Sequence, residues 1–276
     1  MTLTHRLLAA LAAIFIAAAP AAAQQKEFEP QVGQAGKDVI WVPTPDDVVE
    51  RMLRMAQVTA NDYVIDLGAG DGKIAIAAAK KFGARALGIE YNPDMVKHAT
   101  RNIEKAGVTG KARVVQGDIF ASDFTQATVV TMYLLPALNI KLRPQILAMR
   151  PGTRVVSHSF TMEDWEPDET SASDGRRAYF WVVPANVGGN WTLDAAGERL
   201  ELSFEQKFQK IEGSVTLGQL QAGLRDARLR GFQISFSYVD NASVRRDFAG
   251  RVAGTRMEGS FRTESGAEGR WVATKR

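Results

Sequence analysis

The feature that most restricts what this chain can fold into is seven residues long. Asp66-Leu67-Gly68-Ala69-Gly70-Asp71-Gly72 overlaps the end of the apolar run Tyr63 to Leu67 and leads into Lys73 to Lys80, the alanine-rich start of a helix. Glycines at alternate positions let a chain leave a strand, bend tightly and enter a helix. They also leave bare backbone for a ligand at the positive end of that helix. A glycine cluster is by itself compatible with a plain turn, so the nucleotide reading depends on which residues stand downstream of it and at what distance.

Two carboxylates stand at informative positions. Glu90 ends the second apolar run, twenty residues after Gly70, where the two hydroxyls of a ribose can donate to it. Gly117-Asp118-Ile119 ends the third run, where Asp118 can accept from the exocyclic amine of adenine and Ile119 can pack on the ring. A solvated strand-end acid and a turn-forming Gly-Asp pair are the plainer alternatives.

The surroundings support a layered α/β domain. From about residue 38 to 185 the runs Tyr63 to Leu67, Arg85 to Tyr91, Ala112 to Gln116, Ala127 to Tyr133, Thr153 to Phe160 and Ala178 to Val183 alternate with helical segments, the pattern of βα units on a parallel sheet. Asn92 and Pro93 begin one helix, with Val96, Ala99, Ile103 and Ala106 on one face and Gly107 as its stop. Pro45 precedes another over Asp46 to Met55. After about residue 188 short alternating segments such as Phe232-Ile234-Phe236-Tyr238 lie between glycine-containing turns, which predicts an antiparallel β-domain over residues 188–276.

Composition narrows the chemistry. There is no Cys, which excludes disulfides, thiolate metal sites and Cys nucleophiles, and three His show no metal-ligand spacing. Lys plus Arg total 34 against 31 acids, so no nucleic-acid partner is implied by charge. At the N-terminus, His5 and Arg6, the apolar run Leu7 to Ala19 and the small residues Ala21-Ala22-Ala23 read as an export signal over residues 1–23. Cleavage is expected after Ala23, giving a periplasmic or secreted protein, with an uncleaved membrane anchor as the alternative. No later stretch offers about twenty continuous apolar residues, so no span is expected in the mature form. Residues 24–37 are expected to be a flexible lead-in without chemistry of its own.

The set Asp66 to Gly72, Glu90 and Gly117-Asp118 resembles the successive motifs of class I S-adenosylmethionine-dependent methyltransferases. The preceding Val42-Pro43-Thr44-Pro45-Asp46-Asp47-Val48-Val49 is similar to the pre-motif of the lysine methyltransferases that modify mitochondrial ATP/ADP translocase and the ATP-synthase c-subunit, and of their bacterial relatives. The likeness covers about residues 40 to 165, including Met132-Tyr133-Leu134-Leu135-Pro136 and Leu142-Arg143-Pro144. It implies a Rossmann-like methyltransferase domain at 38–187, with a mostly parallel sheet of the seven-stranded type, that binds S-adenosylmethionine. By the same likeness Asp66, Gly68 and Gly70 surround the methionine portion, Glu90 the ribose, and Asp118 with Ile119 the adenine. Thr44 closes over the cofactor, and Tyr133 stands near the transferable methyl as the catalytic candidate. A protein lysine is the acceptor class implied. A lysine amine, with an ordinary pKa of ~10.4, must lose a proton before it attacks, and Tyr133 and, secondarily, Glu163 are the groups considered for this. His98 is expected on the exposed side of its helix, and His158, on the fifth strand, is expected to be a core or rim residue.

Two other readings stay open on the residues alone. One is an exported protein whose β-domain binds an apolar or envelope ligand, with an inactive methyltransferase-like half as scaffold. The other is a nicotinamide dehydrogenase, which fits the first glycines and Glu90 equally well but explains Asp118 and Val42 to Pro45 less well.

Overall fold

The computed structural model describes residues 27–276. The expected export segment and its cleavage point lie outside the described residues. Among those described, no helix is long and apolar enough to cross a membrane.

The first half runs α1 (Asp46–Met55), β1 (Tyr63–Leu67), α2 (Lys73–Phe82), β2 (Arg85–Glu90), α3 (Pro93–Lys105), β3 (Ala112–Gln116), β4 (Val129–Met132), α4 (Pro136–Leu147), β5 (Arg154–His158), β6 (Glu169–Ser173) and β7 (Arg176–Val182). These strands form one sheet in the order β3-β2-β1-β4-β5-β7-β6. The first five are mutually parallel, while β7 runs antiparallel to β5 and β6 antiparallel to β7. Strand order reverses between β1 and β4, so a crevice opens at their carboxyl ends.

Local chemistry explains the element boundaries. The Asn92 side chain accepts from the N–H groups of Asp94 and Met95 at 2.9 and 3.3 Å, with Pro93 at the first helical position. Met95, Ala99 and Ile103 bury the inner face of α3, while Val96 and Ala106 of the expected stripe are only partly buried. Helix α1 buries Val48, Val49, Met52 and Leu53, each worth roughly 1.5–3 kcal/mol, which anchors the Thr44-Pro45 entry beside the crevice. The expected run Ala178 to Val183 is real as β7 but antiparallel, because its partner is the hairpin strand β6. That strand, Glu-Thr-Ser-Ala-Ser, is a mostly exposed edge strand with no apolar alternation to announce it.

The second half contains β8 (Gly189–Ala195), β9 (Glu198–Lys207), β10 (Lys210–Leu217), β11 (Leu220–Gly223), β12 (Arg225–Arg230), β13 (Gln233–Val239), β14 (Arg245–Ala253), β15 (Arg256–Thr263) and β16 (Glu268–Lys275). All neighbours are antiparallel, and β16 returns to pair with β8. Strands β11 and β12 are two pieces of one stave broken at Leu224, the first pairing with β10 and the second with β13. The Leu224 N–H donates to the Gly213 carbonyl of β10 at 2.9 Å. The meander therefore nearly closes into a barrel, which removes exposed edges. Its core is a cluster of its own side chains, among them Trp191, Phe204, Phe236, Phe248, Phe261 and Trp271, and a cavity of about 680 Å³ on this domain is lined by Phe236, Phe248 and Phe261 beside charged residues that include Asp226, Arg245 and Arg262. A Cβ on Gly250 would come within 2.5 Å of the Trp271 ring, so the inward face has glycine where the indole lies.

The halves are packed together. Trp165, fully buried, donates from Nε1 to the Gln209 side chain at 2.9 Å and stacks on Phe208 at 5.7 Å. The Ala185 N–H donates to Gly231 O at 2.8 Å.

Candidate active site

A cavity of about 300 Å³ lies at the carboxyl ends of the parallel strands. Thr44, Asp66, Gly68, Gly70, Glu90, Asp118, Ile119 and Tyr133 all line it. Residues separated by up to 89 positions in sequence therefore meet around one hollow, and none of its lining residues lies beyond Phe160.

The glycine turn is built as its composition requires. Gly68, Gly70 and Gly72 have φ of 79°, 52° and 79°, values that cost a residue with a Cβ. The N–H groups of Gly68 and Ala69 both donate to Ile89 O, at 2.9 and 3.0 Å, so the turn is tied to β2. Gly88 is a further requirement the motif did not reveal, since a Cβ there would meet that of Ala69 at 2.5 Å. Glu90 braces the other side: Oε2 accepts from Gly70 N–H and Oε1 from Asn92 N–H, each at 2.9 Å.

The electrostatics differ from one carboxylate to the next. Asp66 is only 3% exposed, and its Oδ1 accepts from the Thr131 hydroxyl at 2.7 Å. Burial pushes this carboxyl up to about 7 against the pull of Thr131, with Asp71 and Glu90 adding to the rise. Asp118 is the opposite case. Its Oδ2 accepts from Lys37 Nζ at 2.7 Å and its Oδ1 from Phe120 N–H at 2.9 Å, and these bonds, Lys37 first, hold it below the usual carboxylate range. Five carboxylates, Asp38, Asp66, Asp71, Glu90 and Asp118, line the hollow against two lysines, Lys37 and Lys73, an excess that favours a cationic ligand such as a sulfonium. Among the described residues no group of three or more His, Asp or Glu is arranged to hold a metal ion.

Lys37 belongs to the segment expected to be a lead-in without chemistry, and here the structure departs from that expectation. Residues 33–41 form a small hairpin: Gly33 N–H donates to Trp41 O, Trp41 N–H to Gln34 O and Gly36 N–H to Val39 O, each at 2.9 Å, with Lys37-Asp38 at the tip. The stretch from Gln34 to Thr44 lines the cavity continuously. A Cβ on Gly70 would come within 2.6 Å of Trp41 Nε1, so the indole rests on the glycine turn. The only sequence signal for this was Gly33 and Gly36 a few residues before Trp41, with no periodicity to extend it. Ile40, Val42, Tyr91 and Leu135, four of the six large apolar side chains exposed among the described residues, line the same cavity.

On the β4 and β5 side, the Tyr133 ring lies 4.0 Å from that of His158 and 6.2 Å from that of Phe160. His158 is 3% exposed, and its Nδ1 sits 3.2 Å from the Thr44 hydroxyl. Burial, then the charges of Arg51 and Arg176, push its imidazole down to about 4 against the influence of Asp47. Two expectations need correction. Glu163 is exposed and does not line the cavity, because the chain turns away after Phe160. His98 is not on an open face: its side chain is 12% exposed, covered by the edge of the Phe28 ring at 6.5 Å and by Glu29.

Known proteins resemble about half of this chain in sequence and fold. The ANTKMT methyltransferase domain matches residues 66–169. A protein-lysine N-methyltransferase of Saccharolobus islandicus is 47% identical over 151 residues, 52% of this chain and 94% of that protein. The Mus musculus lysine N-methyltransferase named for the ATP-synthase c-subunit is 33% identical over 162 residues, 58% of this chain and 65% of that protein, so the chain spans a little under two thirds of that relative. A crystal structure of an RNA methyltransferase from Salinibacter ruber, in complex with S-adenosyl-L-homocysteine, is 50% identical with a TM-score of 0.52, covering 53% of this chain and 96% of that one. The matched family domain ends before β8, so the barrel falls outside it.

Proposed function

The chain belongs to the ANTKMT-type family of S-adenosylmethionine-dependent methyltransferases, and from that premise we propose that it methylates a lysine side chain of a protein. The observation that carries the reading is that the Gly70 N–H to Glu90 bond and Asp118 face one cavity of about 300 Å³. In this reading Asp66, Gly68 and Gly70 hold the methionine end, Glu90 the ribose, and Asp118 with Ile119 the adenine, while Thr44 closes over the ligand. The names of the Saccharolobus and Mus relatives support lysine as the acceptor.

The reaction is an in-line displacement: the amine lone pair attacks the methyl carbon, the carbon–sulfur bond breaks and its electron pair stays on sulfur. Alignment and exclusion of water supply most of what such a step needs. Tyr133 and Phe160 form an aromatic wall at the cavity and Ile40, Val42 and Leu135 add apolar surface. An apolar approach favours the neutral form of a lysine amine, and Tyr133 is the residue we assign to the reacting end. We further propose that the protein acts after export, with a mature N-terminus at Gln24, which N-terminal sequencing of the secreted form tests.

The acceptor test uses S-adenosylmethionine with a labelled methyl group and, in separate reactions, cell protein and total RNA. Methyl-lysine in the protein arm, found by mass spectrometry, is the expected result. Label in RNA alone, or no transfer by a protein that binds S-adenosylhomocysteine, refutes the lysine assignment.

A further inference from the structure

We propose that His158 is a positioning residue of the methyl-transfer site, holding Thr44 and Tyr133, which stand on two different walls of the cavity, in one fixed relation. The inference rests on the reading of that cavity as the cofactor site and adds a residue that does not itself line it.

His158 is the last residue of β5, and its backbone is fixed in register against Ala178 of β7. Its side chain reaches two elements distant in sequence. Nδ1 meets the Thr44 hydroxyl at 3.2 Å across 114 residues, and its ring lies 4.0 Å from that of Tyr133, tilted by 39°. Thr44 is buried and precedes α1, whose inner face is packed on β5 and β7, so the hydroxyl has little freedom to seek another partner. Tyr133 lies between two rings, since Phe160 stacks on it at 21°. The imidazole is a wedge between the strap that closes over the cavity and the aromatic at the reacting end.

Burial, and after it charge, keeps the wedge in one state. Arg51 and Arg176 act on His158 with Asp47 opposing them, and with burial they keep the ring neutral throughout the physiological range. A neutral imidazole offers one donor and one acceptor nitrogen, so the contact with Thr44 fixes which way the hydroxyl of Thr44 turns. A histidine that merely fills space has no such consequence for the ligand, and this distinguishes the two roles experimentally.

The test is a double-mutant cycle read by calorimetry of the whole chain with S-adenosylhomocysteine. His158→Phe keeps a ring against Tyr133 and loses the bond to Thr44; Thr44→Val loses the same bond from the other side. Each is expected to weaken binding about tenfold, and the double variant to be no weaker than either alone. His158→Asn, whose amide oxygen can stand where Nδ1 stands, is expected to keep most of the affinity. Without the ring beneath Tyr133 it should transfer methyl groups about tenfold more slowly with an unchanged KM for the cofactor. Additive losses, wild-type affinity in His158→Phe, or failure of His158→Asn to rescue binding each overturn the proposal. Thermal unfolding of every variant separates lost folding from lost coupling. If His158→Phe does not fold, Thr44→Val and His158→Asn decide the matter. Wild-type protein that binds no S-adenosylhomocysteine sinks the cofactor reading itself, a different failure from additivity in the cycle.

Discussion

Replacing Asp66 by Asn should stabilise the ligand-free protein and impair its ligand binding, and the size of the gain should depend on pH. The carboxyl is buried beneath the glycine turn and is pushed up to about 7 from an ordinary 3.8. Between those values the folded chain retains a proton that the unfolded chain has lost. Stability therefore falls as pH rises through this window. At 1.36 kcal/mol per pH unit, the wild type at pH 8 carries a penalty of about 4 kcal/mol, shrinking to below about 2 kcal/mol at pH 5. An amide at this position never ionises, and its oxygen still accepts from Thr131. Urea denaturation of wild type and Asp66→Asn at pH 5 and pH 8 measures the difference directly, because every other titrating group is common to both proteins. The ligand works in the opposite sense: a cationic cofactor favours ionised Asp66, so wild-type affinity should rise from pH 6 to pH 8 with proton release. The variant should bind weakly and without that pH dependence. A stability difference that is the same at both pH values refutes the argument that burial of this carboxylate is uncompensated.

Three more outcomes rest on named contacts. Glu90→Ala leaves the Gly70 and Asn92 N–H groups without their acceptor, a loss of about 1–3 kcal/mol, so calorimetry should show binding of S-adenosylhomocysteine weakened by roughly ten- to a hundred-fold; unchanged heat contradicts the assignment. Lys37→Ala frees Asp118 Oδ2 and unlatches the hairpin tip, with little effect on stability because both side chains are about one-third exposed. Cofactor association, followed by Trp41 fluorescence in rapid mixing, should be faster, and an unaltered rate means that the hairpin does not gate the cavity. Asp62→Ala removes a buried carboxylate that accepts from Thr59 N–H at 2.7 Å and Thr128 Oγ1 at 2.8 Å and pairs with Arg154. Burial opposes its ionisation, but Thr128, Arg154 and Thr59 outweigh it and hold the carboxyl below its ordinary range. Arg154, 22% exposed, keeps the Ala56 and Gln57 carbonyls as acceptors, so the cost is that of the donors left without an acceptor at Thr59 and Thr128, about 1–3 kcal/mol at pH 7. The cost should shrink as pH falls below about 4 through the lowered pKa, and a Tm within a degree of wild type at pH 7 excludes it.

What could be read in advance and what could not divides along a physical line. The turn at Gly68, Gly70 and Gly72, the Asn92-Pro93 helix start and the change to an antiparallel pattern after residue 188 depend on φ, on capping and on periodicity, all of which act over a few residues. Those features were legible because the residue itself carries the constraint. The hairpin at 33–41 was not: its bonds are ordinary backbone bonds, and it takes its place only because Lys37 finds Asp118 81 positions away and Trp41 finds bare backbone at Gly70. The mostly exposed strand β6, the return of β16 to β8 and the turning away of Glu163 belong to the same class. Short-range sterics and hydrophobic period determined by themselves the turn, the layers and the kind of sheet. Which side chains share the hollow, and which charges face one another there, only the summed packing of distant segments decided, since no single contact is strong enough to dictate it.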